Sequence, residues 1–261
     1  MKLERVARPV IYSLTAFLLY FPVLIIGILS FNSSSRNFEI TGFTLNWFVE
    51  IVQDRSLFEA IQRTWMVAVI STVIATIVGT FVAIGIHDLT TTQRRRILFL
   101  NNIPIVNPDV VTGISLMLIF SVIGLPFGFI TMLLAHVFFS IPYVVLTVLP
   151  KLKLLDPNLY DAAVDLGCSP FQAVQKVIIP AIASAIIAGG LIAFTMSIDD
   201  FVISYFTTGS GFTNFSNWIY SRLSRRSFSP AAYAYNTLVT SVTLGGLLIY
   251  NLQSQRKQKR G

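Results

Sequence analysis

Three aspartates sit where carboxylates are costly. Asp109, Asp199 and Asp200 each lie inside long apolar stretches, and ionisable residues in such stretches mark ion or substrate paths by default. Their acidity favours a cationic species. On a continuous helix adjacent Asp199 and Asp200 point about 100° apart, so one lines a path more fully and the other caps or orients a neighbouring helix. Counted from Ile97 at about 1.5 Å per residue, Asp109 falls roughly 18 Å along a continuous third span, near mid-membrane. It also follows Asn107-Pro108, so it reads either as a path-facing carboxylate or as the N-cap of a broken span. Trp47, Tyr143, Tyr205, Trp218 and Tyr220 can supply cation–π contacts to amines, or serve as interfacial anchors. Trp47 and Tyr143 are the two assigned to the path.

The elements that must carry these residues follow from composition. Of 261 residues, 54% are hydrophobic and 12% charged, with mean hydropathy +0.71; soluble proteins have about twice that charge. An ordinary soluble enzyme is thereby excluded. Charge-free stretches reach the roughly 20 residues that a helix needs to cross a bilayer core. Residues 9–31 and 64–87 give two spans, 97–150 two more separated by the turn Ile123-Gly124-Leu125-Pro126-Phe127-Gly128, and 180–206 and 230–252 the fifth and sixth. The first run is too long for a typical signal h-region and is expected to stay as a span.

The spans must be helical, because an unpaired amide in hydrocarbon costs several kcal/mol and barrel-type alternation is absent. Thirteen of nineteen basic residues, including Lys2, Arg94, Arg95, Arg96, Lys151, Lys153, Lys176 and Arg256, fall in one set of loops. The other six are Arg36, Arg55, Arg63, Arg222, Arg225 and Arg226. The positive-inside rule puts both termini in the cytoplasm and treats net charge +7 as topology rather than a nucleic-acid footprint. The fold class is an all-α membrane protein of six transmembrane helices, a single domain over 1–261. One cysteine, Cys168, leaves no internal disulfide.

The loop at 151–179 carries helix punctuation. Asp156-Pro157 reads as an N-cap with proline at the first position, and Gly167 as the terminating glycine, giving a helix over 157–166. Its apolar side is Leu159, Ala162, Ala163 and Leu166. Ser169-Pro170 repeats the start signal, and Phe171, Val174, Val177 and Ile178 share a stripe up to Pro180.

Asp161-Ala162-Ala163-Val164-Asp165-Leu166-Gly167, followed by Phe171, Ile178, Ile179, Pro180 and Gly189, resembles the EAA loop of ABC-importer permeases. Asp161 stands where glutamate is usual, and Cys168 where alanine often follows the glycine. Asn32-Ser33-Ser34, Pro108-Asp109-Val110-Val111, Ile114-Ser115-Leu116 and Phe194 to Val202 are similar to PotC-type spermidine/putrescine permeases, over about 8–250. The resemblance implies the type I ABC importer permease fold. It also implies a coupling helix bearing Asp161, Ala162, Ala163, Gly167 and Pro180, and a plasma (inner) membrane location. It implies partners as well: a PotB-type second permease, a PotA-type ATPase dimer that binds ATP and Mg, and a PotD-type polyamine-binding protein. This chain has no glycine-rich phosphate loop with its lysine, so it needs no cofactor of its own and is no enzyme.

Other readings stay open at this level. Related permeases carry iron, thiamine or phosphonates, and the three aspartates would also suit a proton-coupled secondary carrier. An intramembrane aspartyl protease is disfavoured because adjacent acids cannot straddle a peptide bond. His136 reads as a core histidine before a gate. Arg222, Arg225 and Arg226 either meet a binding protein, interact with lipid or are solvated.

Overall fold

The computed structural model describes residues 2–34, 39–225 and 229–258, with side chains over 8, 11–34, 39–225 and 229–245. Arg36, Arg226, Lys259 and Arg260 lie outside the described residues, as do the side chains of Lys2, Arg5, Arg256 and Lys257. The described residues are helical apart from loops and two isolated bridges, Asn32 to Phe43 and Gly209 to Phe212. Among the described residues three helices are long and apolar enough to cross a membrane, or five if each of two bent pairs is one span. The sixth expected crossing falls on a helix whose side chains beyond Gly245 are outside the described set.

The chain forms two units, 1–59 with 219–261, and 60–218. In the first, α1 (Lys2–Ser30), α2 (Asn46–Gln53) and α13 (Ala231–Gln258) pack together. The loop after α1 is tied by Asn32, whose Nδ2 donates to Glu39 O at 2.6 Å and whose Oδ1 accepts from Thr41 N at 3.1 Å. Phe31 stacks on Phe43, with centroids 5.7 Å apart and planes 5° from parallel.

The second unit holds most of α3 (Arg55–His87), α4 (Thr91–Val106), α5 (Asp109–Val122), α6 (Phe129–Leu152), α7 (Leu159–Asp165), α8 (Pro170–Ala173), α9 (Ile179–Ala181), α10 (Ala183–Ile198), α11 (Val202–Thr207) and the start of α12 (Phe215–Ser224). Small residues let three long helices approach. A Cβ on Gly79 of α3 would stand 2.8 Å from Val144 Cβ of α6; one on Gly189 of α10, 3.2 Å from Val144 Cα; and one on Gly190, 3.0 Å from Thr76 Oγ1. Close backbone approach over small residues is how helices gain dispersion contacts where no hydrophobic effect distinguishes protein from lipid. Around this seam Ala83, Ile86, Val144, Val148, Leu152 and Ile182 are buried.

Where the helices stop, the residues explain why. Arg94 donates to the carbonyls of Ile86, His87 and Leu89, supplying a cation to the orphan acceptors at the C-terminus of α3. Between α4 and α5 Asn107 and Pro108 are both extended, as a residue before proline prefers, and the axes bend by 105°. The third span is therefore not one rod, and the 18 Å depth reckoned along it for Asp109 does not hold. At the end of α5 Gly124 takes φ +73°, with Gly124 N bonded to Ser121 O and Leu125 N to Phe120 O, a Schellman closure that makes the expected turn.

Gly79→Ala adds a methyl against Val144 and should destabilise by about 1–3 kcal/mol through overpacking. Gly85→Ala has nothing within 4 Å and should be neutral to slightly stabilising. Thermal unfolding of the purified protein in detergent distinguishes the two.

Candidate functional site

The fifth apolar segment does not continue as a helix through its acids. α10 ends at Ile198, Asp199 is its C-cap, and α11 begins at Val202. The 100° separation expected of two helical neighbours gives way to a break in which the acids have opposite surroundings. Asp200 turns inward: its side chain is only 9% exposed, Oδ2 accepts from Ser204 N at 2.7 Å, and Oδ1 from Ile203 N at 3.3 Å. It thereby satisfies two of the donors a helix start leaves orphaned and sets negative charge against the positive end of the helix dipole. Its backbone carbonyl accepts from Asn214 Nδ2 at 3.3 Å. Of the two roles expected for the pair, capping thus falls to Asp200. Asp199 is exposed, and its carboxylate has no hydrogen-bond partner among the described residues.

His136 of α6 adjoins the break. It is 1% exposed, with Nδ1 2.6 Å from Ser197 Oγ, Nε2 2.9 Å from Ser204 Oγ and 3.6 Å from Asp200 Oδ2. Ser197 Oγ lies 3.0 Å from Ser71 Oγ of α3, so one polar chain crosses four helices. Ser71, Ser197 and Ser204 were not legible as partners, because serine in an apolar run reads as a small helix-packing residue. A buried histidine together with serines on both sides of an Asp-Asp pair was the available signal.

Asp109 is exposed in the first turn of α5, after the cap residue Pro108. Tyr143 is half-buried on α6, seven residues and about two turns from His136. Trp47 belongs to the first unit, where its indole Nε1 donates to Asn32 O at 2.6 Å. The Phe201 and Tyr205 rings meet beside the break with centroids 5.8 Å apart and planes tilted by 45°, and Tyr205 is 49% exposed.

The loop helix starts later than expected: Asp156 is not its N-cap. Its Oδ1 closes a turn by accepting from Asn158 N at 2.9 Å, and α7 runs from Leu159. Gly167, at φ +92°, ends it through Gly167 N to Val164 O and Cys168 N to Ala163 O. The anticipated apolar side divides. Leu159 and Ala163 face inward, while Ala162 is exposed and Leu166 is 87% exposed. Asp161, with Tyr160, Asp156, Lys153 and Asp88, lines a cavity of about 370 Å³. Ser169 and Gln172 form a reciprocal cap on α8, and Phe171 is 66% exposed. The expected second helix then widens into a π turn, Val174–Ile178, before α9 and a 73° bend at Ile182. Pro180 has no N–H to give Lys176, and the wider turn accommodates that loss.

The family of binding-protein-dependent transport system inner membrane components matches residues 90–259. The chain belongs to this family. Members of known role are similar over nearly the whole length. The spermidine/putrescine transport system permease protein PotC of Escherichia coli K12 is 33% identical over 241 residues, 92% of this chain and 91% of that protein. The putrescine transport system permease protein PotI of the same strain is 33% identical, covering 97% and 92%. A chain of a bacterial ABC transporter involved in import of the acidic polysaccharide alginate superposes with TM-score 0.72 at 16% identity, covering 97% and 96%. That likeness establishes the shared permease fold. The family places the chain in a membrane as a transport component, not an enzyme.

Asp200→Ala should destabilise by about 1–2 kcal/mol, the usual loss when a carboxylate that bonds the free amides of a helix start is removed. Asp200→Asn, which keeps an acceptor, should cost less, and Asp199→Asn close to nothing. Melting temperatures of the three variants in detergent test this order.

Proposed function

We propose that this chain is a PotC-type permease subunit of an ABC importer for polyamines, forming half of the translocation pathway. What carries the reading is near full-length similarity to two permeases whose names specify spermidine/putrescine and putrescine. The carboxylate of Asp199, exposed at a helix break and without a hydrogen-bond partner among the described residues, supports it. A polyamine is a flexible row of ammonium groups, and a carboxylate without a competing donor is free to receive one.

In this reading the chain crosses the inner membrane six times with both termini in the cytoplasm. It works beside a PotB-type permease, a PotA-type ATPase dimer that binds ATP and Mg, and a PotD-type binding protein. Asp109, Asp199, Tyr143 and Trp47 line the path, with Asp200 behind Asp199. The 151–179 loop docks on the ATPase through Asp161, Ala162 and the rigid ending at Gly167. Ala163 anchors the helix to its own protein, and Pro180 marks the return to the membrane. Closure of the ATPase dimer draws the coupling helices together, opens the permease pair outward to the binding protein, and resets after hydrolysis. The opposite charge of the alginate cargo named for the structural neighbour is no obstacle, because cargo sign is set by a few path residues on a shared scaffold.

Labelled spermidine uptake in vesicles containing the chain should require the ATPase; uptake that persists without it but collapses with the proton gradient would disprove the reading. Asp199→Asn should cut uptake at least about tenfold, the effect of removing one charge-assisted contact, with assembly intact. Gly167→Arg forces a side chain onto φ +92° and should release the ATPase from the membrane complex, read by co-purification.

A further inference from the structure

His136 places both ring nitrogens on the same interrupted segment, one on each side of the interruption. Nδ1 reaches Ser197, the penultimate residue of α10, and Nε2 reaches Ser204 in the first turn of α11. A histidine that only filled the core would need partners anywhere, and an apolar side chain would fill the same volume without burying a polar ring. Here the ring bridges the gap left where helix hydrogen bonding stops, over Asp199, Asp200 and Phe201.

The direction of the bonds follows from proton counting. Ser71 Oγ donates to Ala68 O at 3.2 Å. Its single proton being used, Ser197 donates to Ser71, and Nδ1–H donates to Ser197. Nε2 of the neutral ring then accepts from Ser204 Oγ, a hydroxyl that the Asp200 carboxylate also faces. The ring therefore grips α10 as a donor and α11 as an acceptor. The cap that Asp200 provides holds α11 from within the break, and the ring holds both helix ends from outside it.

We propose that His136 is a positioning residue which, by clamping Ser197 and Ser204, fixes the break so that Asp200 stays folded inward and the Asp199 carboxylate stays presented to the path. This rests on Asp199 being a pathway group. His136 touches no cargo; it acts through the geometry of the break. The donor assignment also specifies which replacements retain function in part. Glutamine presents an acceptor near the Nε2 position and keeps Ser204, and asparagine presents a donor near Nδ1 and keeps Ser197.

The test uses the assembled importer in membrane vesicles, with Cys168→Ser removing the single native thiol and Asp199→Cys installing a reporter. The rate of modification by a cationic methanethiosulfonate reports presentation of position 199, whatever the natural cargo. His136→Ala should slow labelling about tenfold, with His136→Gln and His136→Asn each recovering to within about threefold, as expected when displacement of order 1 Å is partly reversed. Ser204→Ala, a small change unable to unfold the core by volume, should slow it in the same direction. With Asp199 restored, His136→Ala should raise the KM for spermidine more than it lowers the maximal rate. Unchanged labelling in His136→Ala overturns the proposal. So does equal slowing in the alanine and both amide variants, which is the behaviour of a volume-filling core residue. A labelling effect in an importer that carries no polyamine leaves the clamp standing and defeats the cargo assignment instead.

Discussion

A helix interrupted among apolar neighbours leaves backbone donors with no water to turn to, and the Asp200 carboxylate answers that constraint by taking the amides of Ile203 and Ser204. The rest of the second unit is arranged so that this can happen. α6 brings His136 to the break because Gly79 and Gly189 let α3 and α10 press close to Val144. α5 supports α11 because Gly113 makes room for the Phe206 ring. Asn214 reaches the carbonyl of Asp200, and Thr64 accepts from Phe215 N at 2.8 Å, so the start of α12 closes over the same region. With its neighbour buried in this way, Asp199 is the acid left in the open.

The sequence announced the helices through lack of charge, and their ends through Gly124, Gly167 and Ser169-Pro170. Those signals are local: each depends on one residue's backbone freedom or on a side chain three positions away. What stayed open was whether a long apolar run is one rod: Asn107-Pro108 allowed a broken span as well as a continuous one. The bend at Asn107-Pro108 and the break between Ile198 and Val202 each fall at a few polar residues inside a longer apolar run, and lipid-facing and protein-facing surfaces are equally apolar, so composition alone does not separate a bend from a rod. Rise-per-residue arithmetic therefore misplaced Asp109. The serines around His136 were hidden for another reason: their meaning lies in partners 61 to 126 residues away.

The two faces of α7 show the same division between local and distant information. Spacing put Leu159, Ala162, Ala163 and Leu166 on one apolar side, and the structure divides that side. Only tertiary packing determines that Leu159 and Ala163 are used internally while Ala162 and Leu166 are presented outward. A helix of two turns has too little surface to keep separate faces, so one stripe is half packed and half presented.

The π turn at Val174–Ile178 gives the chain one residue more than an α-helical path between Ser169 and Ile182 would need. An extra residue in a helix is a phase offset of about 100°. The loop that faces the cytoplasm in the proposed topology and the α10 face beside α6 are therefore set by separate registers joined at one wide turn. Sequence change on either side can drift without rotating the other, so a chain of this build can acquire a new cytoplasmic partner or a new cargo independently.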